Sequence, residues 1–497
     1  MNPINCRLFD FQIDNRKCDD DDDGSSDEGG KKTKKDDKEF VIQIFGIDEV
    51  GDTYCLFVNN FKPFFYLEIP SSWRKLTIRK FINNIRKKVY KKYSNDLIGY
   101  KKVNKCKFTE FTAYTQYSFL ELTFRNLKGF RTYERLFKKP VEFRNVTRKP
   151  RKYRLFESNI EPYLRCMHIR GLDACGWVQV EDYKKDTGKP SRCKIDIITD
   201  WNKLISIKDS HIMPWEIASF DIECTSIDGS FPNPERPGDK IIQIGTTFNK
   251  YGEDDCFFKH IITLNTCNDF EGSTVEYYNN ERDVLLAWTK LIQRTDPDIL
   301  TGYNIFGFDW NYMYKRAKLL GIEHKFCDLG RLKNTRSAFI EKDLSSSALG
   351  ENYLRFYDNI GRIPLDLMKV VQKDYNLGSY KLDNVASHFM RGKLKTITDS
   401  FLTTYTGHLK DGDFISFRTH SNIGEELFQD GKKFKIQKVE ANGLHLEEPL
   451  MINLEEYLSH AGNGNNSFVM FDSILFKACN KAVEIIALEG HMMQSPG

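Results

Sequence analysis

The 497-residue sequence predicts an α/β protein: a domain built on a mixed sheet, preceded by a second, mixed α/β module. Three observations predict it. Ile217-Ala-Ser-Phe-Asp-Ile-Glu223 alternates with the period of a strand, so Asp221 and Glu223 leave one face together. After it the pattern runs through further strands into helix, strand and helix as far as Gly321. Before it, short strands between Phe40 and Ile198 are interleaved with helices of basic character. The length allows two to four domains.

In chain order, Asn2 to Ile13 is a first strand. Asp19–Asp23, Gly24–Gly30 and Lys31–Lys35 then form a charged low-complexity insert, at about 18–38, with too little apolar surface to order itself. Strands resume at Phe40–Gly46, Tyr54–Val58 and Phe64–Ile69. Leu76 to Tyr93 is an amphipathic helix, with Ile78, Phe81, Ile82, Ile85 and Val89 on one face. Its other face carries Arg79, Lys80, Arg86, Lys87, Lys88, Lys91 and Lys92, which suits a phosphate backbone, although solvated lysines are common on any helix. Arg144, Arg148, Lys149, Arg151, Lys152 and Arg154 form a second basic cluster ahead of a helix at Glu157–Gly171. Strands at Trp177–Glu181 and Arg192–Ile198 close the module, and Pro214 opens the next domain.

From Ile217 the order is strand, a turn-rich loop around Pro232, Pro234 and Pro237, and an antiparallel strand at Lys240–Phe248. A strand at Cys256–Ile262 and a helix at Asn280–Arg294 follow, then a short buried strand, Ile299–Asn304, and a helix over Gly307–Gly321. The resulting divisions are 1–213, 214–400, a small β insertion at 401–460 and a tail at 461–497.

A net charge of +4 supports no global electrostatic argument about partners. Twelve scattered cysteines without a C-x-x-C pair argue against zinc and against a disulfide framework, and for a reducing compartment. The N-terminus has no apolar signal-peptide core, and no run of about 18 uncharged apolar residues marks a membrane span.

Asp221 and Glu223 on one face repel each other, and burial sharpens the repulsion; a divalent cation relieves it. Asp309 falls in the first turn of a helix just after a strand end, where the helix dipole alone favours an acid. That is also the edge where α/β sheets place ligands, so Asp309 can join the pair around two metals and support phosphodiester hydrolysis. Asn304 at the strand tip is a candidate hydrogen-bonding group for substrate, and Phe308 a candidate stacking surface for a base.

At these residues the sequence resembles the family B DNA polymerases. Asp221-Ile-Glu223 resembles the family's first exonuclease motif and Tyr303-Asn-Ile-Phe-Gly-Phe-Asp309 the second. Leu365–Val371 and Ser379–Met390 resemble the helices that follow, and Phe156–Arg165 with Gly176-Trp177 the family's N-terminal domain. The flavour is that of large nucleocytoplasmic DNA virus and eukaryotic delta-type replicative polymerases. The resemblance implies an RNase H-like (DnaQ-type) exonuclease fold and a 3′→5′ proofreading site for DNA replication, with two Mg²⁺ or Mn²⁺ ions held by Asp221, Glu223 and Asp309. It implies DNA as partner, through a single-stranded primer 3′ end and its template, with a separately encoded palm or a sliding clamp as further candidates and no membrane. The location implied is the nucleus or a cytoplasmic viral replication site, without secretion.

The sequence also departs from the family. The third motif, Tyr-x-x-x-Asp, has no clear copy; Phe468-Val-Met-Phe-Asp472 keeps the spacing with Phe for Tyr, leaving Asp472 as a weak candidate ligand. Nothing before Gly497 resembles the palm aspartates or the fingers helix, so the expectation is a chain that stops before the polymerase palm. The competing expectation is a catalytically silent DNA-binding or docking fragment of a split polymerase.

Overall fold

The computed structural model describes residues 2–17, 38–449 and 468–470, apart from 109–112, 144–145, 147–148, 254, 270–271, 347–349, 390–391, 398–400, 405–408 and 422–423. Residues 18–37 of the charged insert and Asp472 lie outside the described residues. The chain divides into two compact units, Met1–Met213 and Pro214–Gly497.

The first unit runs β1 (Ile4–Lys17), β2 (Lys38–Ile47), β3 (Thr53–Asn59), β4 (Phe64–Glu68), α1 (Lys75–Lys88), β5 (Leu97–Lys105) and β6 (Tyr117–Phe124). It continues with α2 (Leu127–Leu136), β7 (Leu155–Phe156), α3 (Pro162–Arg170), β8 (Trp177–Val180), β9 (Tyr183–Lys185), β10 (Ile195–Asp200) and β11 (Leu204–Ile207). Seven strands form one sheet in the order β11-β8-β1-β2-β3-β10-β9, and four form another in the order β5-β6-β4-β7. Helix α1 is shorter than its apolar pattern suggests. It ends at Lys88, Val89 is extended, and a separate turn covers Lys91–Tyr93. Arg86, Lys87 and Lys88 thus crowd its C-terminal turn, the end where the helix dipole favours cations. Helix α3 starts at Pro162 rather than near Glu157, because proline fits the first helical position, and Gly171 ends it with φ 63°.

The second unit opens with β12 (Glu216–Cys224), β13 (Ile241–Lys250), β14 (Phe258–Leu264) and β15 (Thr274–Tyr278). Next come α4 (Glu281–Thr295), β16 (Ile299–Gly302), α5 (Asp309–Leu319), α6 (Glu323–Phe326), β17 (Ala338–Ser346), β18 (Gly350–Asp358), β19 (Ile363–Asp366), α7 (Leu367–Asp374) and α8 (Leu382–Phe389). The main sheet has the order β15-β14-β13-β12-β16-β19. Strands β12, β13 and β14 form an antiparallel meander, whereas β12, β16 and β19 are parallel neighbours. The carboxyl ends of β12, β16 and β19 therefore share one edge.

Side chains along β12 obey the expected alternation. Ala218, Phe220 and Ile222 are buried, while Ser219, Asp221 and Glu223 are half-buried on the opposite face. The buried face packs on α4 and α5: the Phe220 ring lies 5.0 Å from Trp288 and 4.9 Å from Trp310. Helix α4 is capped by the Asn280 side chain, which accepts from the Asp283 N–H. Hairpin β17–β18 and strands β15 and β19 carry no periodicity that announces them. The strands expected at 412–446 join an eight-stranded sheet that also takes strands from Gly392–Ile397, Phe401–Thr404 and Phe468–Met470.

Candidate active site

The site exists because β12 has nine residues and β16 only four. The two strands pair over Ile217–Ser219 and Ile299–Thr301 and no further. Past that point the chain leaves β16 at Gly302. A Cβ there would sit 2.5 Å from the Phe220 carbonyl oxygen, so only glycine allows this close exit. The turn continues through Asn304, in the left-handed region at φ 60°, a conformation that asparagine tolerates. The carbonyl of Asn304 accepts from the N–H groups of Gly307 (2.9 Å) and Phe308 (3.0 Å), and α5 begins at Asp309.

This route brings Asp309 to the stretch of β12 that β16 no longer covers. The Ile222 N–H donates to Asp309 Oδ1 at 3.3 Å and to Asp221 Oδ1 at 3.0 Å. The two carboxyl groups also meet directly through a side-chain hydrogen bond. Burial pushes both carboxyls up; Asp309 lies well above the ordinary carboxylate range, with the Asp221 charge as the next cause. Burial and mutual repulsion together disfavour two adjacent charges at this pair. Neighbouring residues lock this arrangement: Phe220 precedes Asp221, Trp310 follows Asp309, and their rings touch edge to face.

Glu223 stands two residues along the same face of β12, half-buried. Among the described residues, no three His, Cys, Asp or Glu side chains gather closely enough to hold a metal ion. The donor chemistry nonetheless suits a hard divalent cation, since two carboxyl groups in contact and a third acid on the same strand face are what such an ion neutralises.

Of the other predicted residues, Asn304 has a structural task, forming the turn, with its side chain folded against Gly307. Phe308 is half-buried, its ring 5.3 Å from Tyr312 and 5.5 Å from Phe231. Phe231, 77% exposed in the loop after β12, has no sequence signal of its own; as an exposed aromatic it sits beside the residue that precedes Asp309. Asp366 is a second residue outside the predicted set. Buried at the tip of β19, it accepts from the N–H groups of Asn304, Phe306 and Met368, each at 2.9 Å. An acid just before an apolar helical run is a cap signal, and Asp366-Leu-Met-Lys-Val-Val371 carries it.

A meander of three strands, two parallel strands beside it and acids at the shared edge define an RNase H-like exonuclease domain. Residues 153–385 match the sequence profile of the DNA polymerase family B exonuclease domain. The chain is similar to the DNA polymerase of Acanthamoeba polyphaga mimivirus, at 30% identity over 90% of this chain and 31% of that protein. It is similar to the DNA polymerase of Pyramimonas orientalis virus at 30% identity, over 72% and 41% respectively. The DNA polymerase delta catalytic subunit of Drosophila melanogaster is also 30% identical, over 75% of this chain and 35% of that subunit. The chain thus spans between 31% and 41% of the length of these relatives.

Proposed function

We propose that the carboxyl edge of β12, β16 and β19 is a 3′→5′ proofreading nuclease site that acts on the terminal phosphodiester of a DNA strand during replication. The meeting of Asp221 and Asp309, from segments far apart in the chain, carries this reading. Asp221, Glu223 and Asp309 would hold Mg²⁺ or Mn²⁺ in a two-ion arrangement. Such ions, when bound, polarise the phosphate and make water acidic enough to attack it near neutral pH. The turn fixed by Asp366 keeps Asp309 at the β12 edge. Phe308 and the exposed Phe231 offer ring surfaces to the terminal base, and a single-stranded 3′ end supplies one free to stack.

The test is cleavage of 5′-labelled single-stranded DNA by the full chain with Mg²⁺. Loss of cleavage by at least about 100-fold is expected for Asp221→Ala and for Asp309→Asn. Cleavage that survives Asp221→Ala removes the site. One observation favours a second reading, a catalytically silent DNA-binding piece: the third-motif candidate Phe468-Val-Met-Phe-Asp472 carries Phe where the family has Tyr. DNA binding without any metal-dependent cleavage selects it.

A further inference from the structure

We propose that Arg316 is a positioning residue for the nuclease site: its buried guanidinium fastens the proline-rich loop between β12 and β13 to α5, so that Phe231 of the loop stands fixed beside the helix that carries Asp309. This rests on the nuclease reading and concerns a residue that touches no substrate. Arg316 follows Asp309 by seven residues, two helical turns, and so lies on the same stripe of α5. It is 1% exposed. A buried guanidinium is costly unless its donors are used, and here all five are. Nε donates to Glu281 Oε1 at 2.7 Å, and a terminal nitrogen donates to Glu281 Oε2. The other three N–H groups reach the carbonyl oxygens of Pro234 (3.2 Å), Arg236 (2.8 Å) and Pro237 (3.4 Å). Glu281 is buried as well, and it also accepts from the Ile241 N–H at 2.9 Å, where β13 begins.

From this anchor a short chain of contacts runs to Phe231. Arg236, whose carbonyl Arg316 holds, donates from its side chain to the Phe231 carbonyl at 3.1 Å and pairs with Asp239 at 2.7 Å. Asp239 accepts from the Ile227 and Asn233 N–H groups at 3.0 and 2.8 Å, and its own carbonyl accepts from the Tyr312 hydroxyl at 3.0 Å. Two buried side chains of α5, Tyr312 and Arg316, thus hold the loop. Phe231 is 77% exposed and gains little from packing, so its place 5.5 Å from Phe308 depends on how the loop backbone is held. Lys315 and Glu235 also join helix to loop, at 2.8 Å, but their side chains are 38% and 68% exposed, and such a pair contributes little.

The experiment has two arms, both on the full chain. Hydrogen–deuterium exchange in EDTA reads the loop without any cleavage. Arg316→Lys keeps a charge opposite Glu281 but cannot span Glu281 and three carbonyls at once. It is expected to speed exchange in residues 225–241 by about tenfold, the effect of one or two lost hydrogen bonds, while α4 and β12 exchange as in wild type. Tyr312→Phe, which removes one hydroxyl, is expected to act on the same residues more weakly, and Lys315→Ala to leave them as they are. The second arm is steady-state cleavage of single-stranded DNA with Mg²⁺. Phe231→Ala is expected to raise KM by roughly five- to tenfold with kcat within about twofold, Arg316→Lys to do the same, and the double variant to go no further. Unaltered exchange in 225–241 overturns the proposal, and so does exchange accelerated equally in α4 and β12. A fall in kcat alone, or KM effects that multiply in the double variant, also overturns it. A wild-type chain that cleaves nothing sinks the nuclease reading and this proposal together, whereas cleavage without the Arg316 effects sinks the proposal alone.

Discussion

At the scale of single residues, burial decides which ionisable groups are functional and which are structural. Asp221 and Asp309 are close because each has a neighbour packed in the core, and no local sequence signal reports that Asp309 meets the Ile222 N–H across 87 positions. Only their positions, Asp221 on a strand-like segment and Asp309 just after one, are readable. Buried histidine shows the structural case. His260 on β14 has no exposed side-chain surface; its Nε2 lies 3.1 Å from Glu276 Oε1, and its Nδ1 has no partner among the described residues. Burial lowers its pKa below the ordinary value of 6.5, against the opposing pull of Glu276; Arg294 adds to the lowering. The unfolded chain therefore binds a proton near pH 6.5 that the folded unit resists. Stability is full above that pH and falls as pH drops through it toward the lowered folded value. Chemical denaturation of wild type between pH 7 and about 5 is expected to give a declining midpoint, and His260→Gln to flatten the decline. A wild-type midpoint that stays level, or a variant with the same slope, contradicts the assignment.

At the scale of elements, the site depends on a length difference and on one aromatic cluster. The alternation of β12, the Asn280 cap of α4 and the strand-then-helix order at Ile299–Gly321 are legible because they follow local periodicity and capping. The extent of β16 is less legible. Its four residues read as six, because the aromatic Tyr303 extends the strand-like run to Asn304, and only the left-handed turn at Asn304 cuts it short. Hairpin β17–β18 is hidden because its strands, Ala338–Ser346 and Gly350–Asp358, carry charges among their apolar residues and blur the period. Two substitutions separate packing from geometry. Phe220→Ala removes the ring that packs on Trp288 and Trp310 and is expected to cost roughly 3–5 kcal/mol of stability. Gly302→Ala places a methyl 2.5 Å from the Phe220 carbonyl and is expected to cost about 1–3 kcal/mol, with a loss of cleavage larger than the loss of stability explains, because it displaces the turn leading to Asp309. Equal cleavage by Gly302→Ala and wild type at a temperature where both are folded would show that the exit of β16 does not position the acid.

At the scale of the whole chain, the two compact units have separate cores. Met1–Met213 is held by two clusters, one around Phe65, Phe81 and Phe143 and one around Ile44, Leu56 and Val178. Pro214–Gly497 contains the cluster of Phe220, Trp288 and Trp310 beneath the acids. No buried residue of the Pro214–Gly497 cluster belongs to the other two, so each unit has the means to unfold on its own. Calorimetry of the full chain is therefore expected to resolve two transitions. Trp310→Leu should lower one of them by several degrees and abolish tight packing under β12, while Phe81→Leu lowers the other and leaves the first in place. A single transition moved equally by both variants would mean that the units unfold as one, and that the cores are coupled through residues outside these clusters. The same pair of variants bears on function. Trp310→Leu should impair the proposed cleavage and Phe81→Leu should leave it unchanged, because Asp221 and Asp309 stand beside one core and Phe81 lies in another.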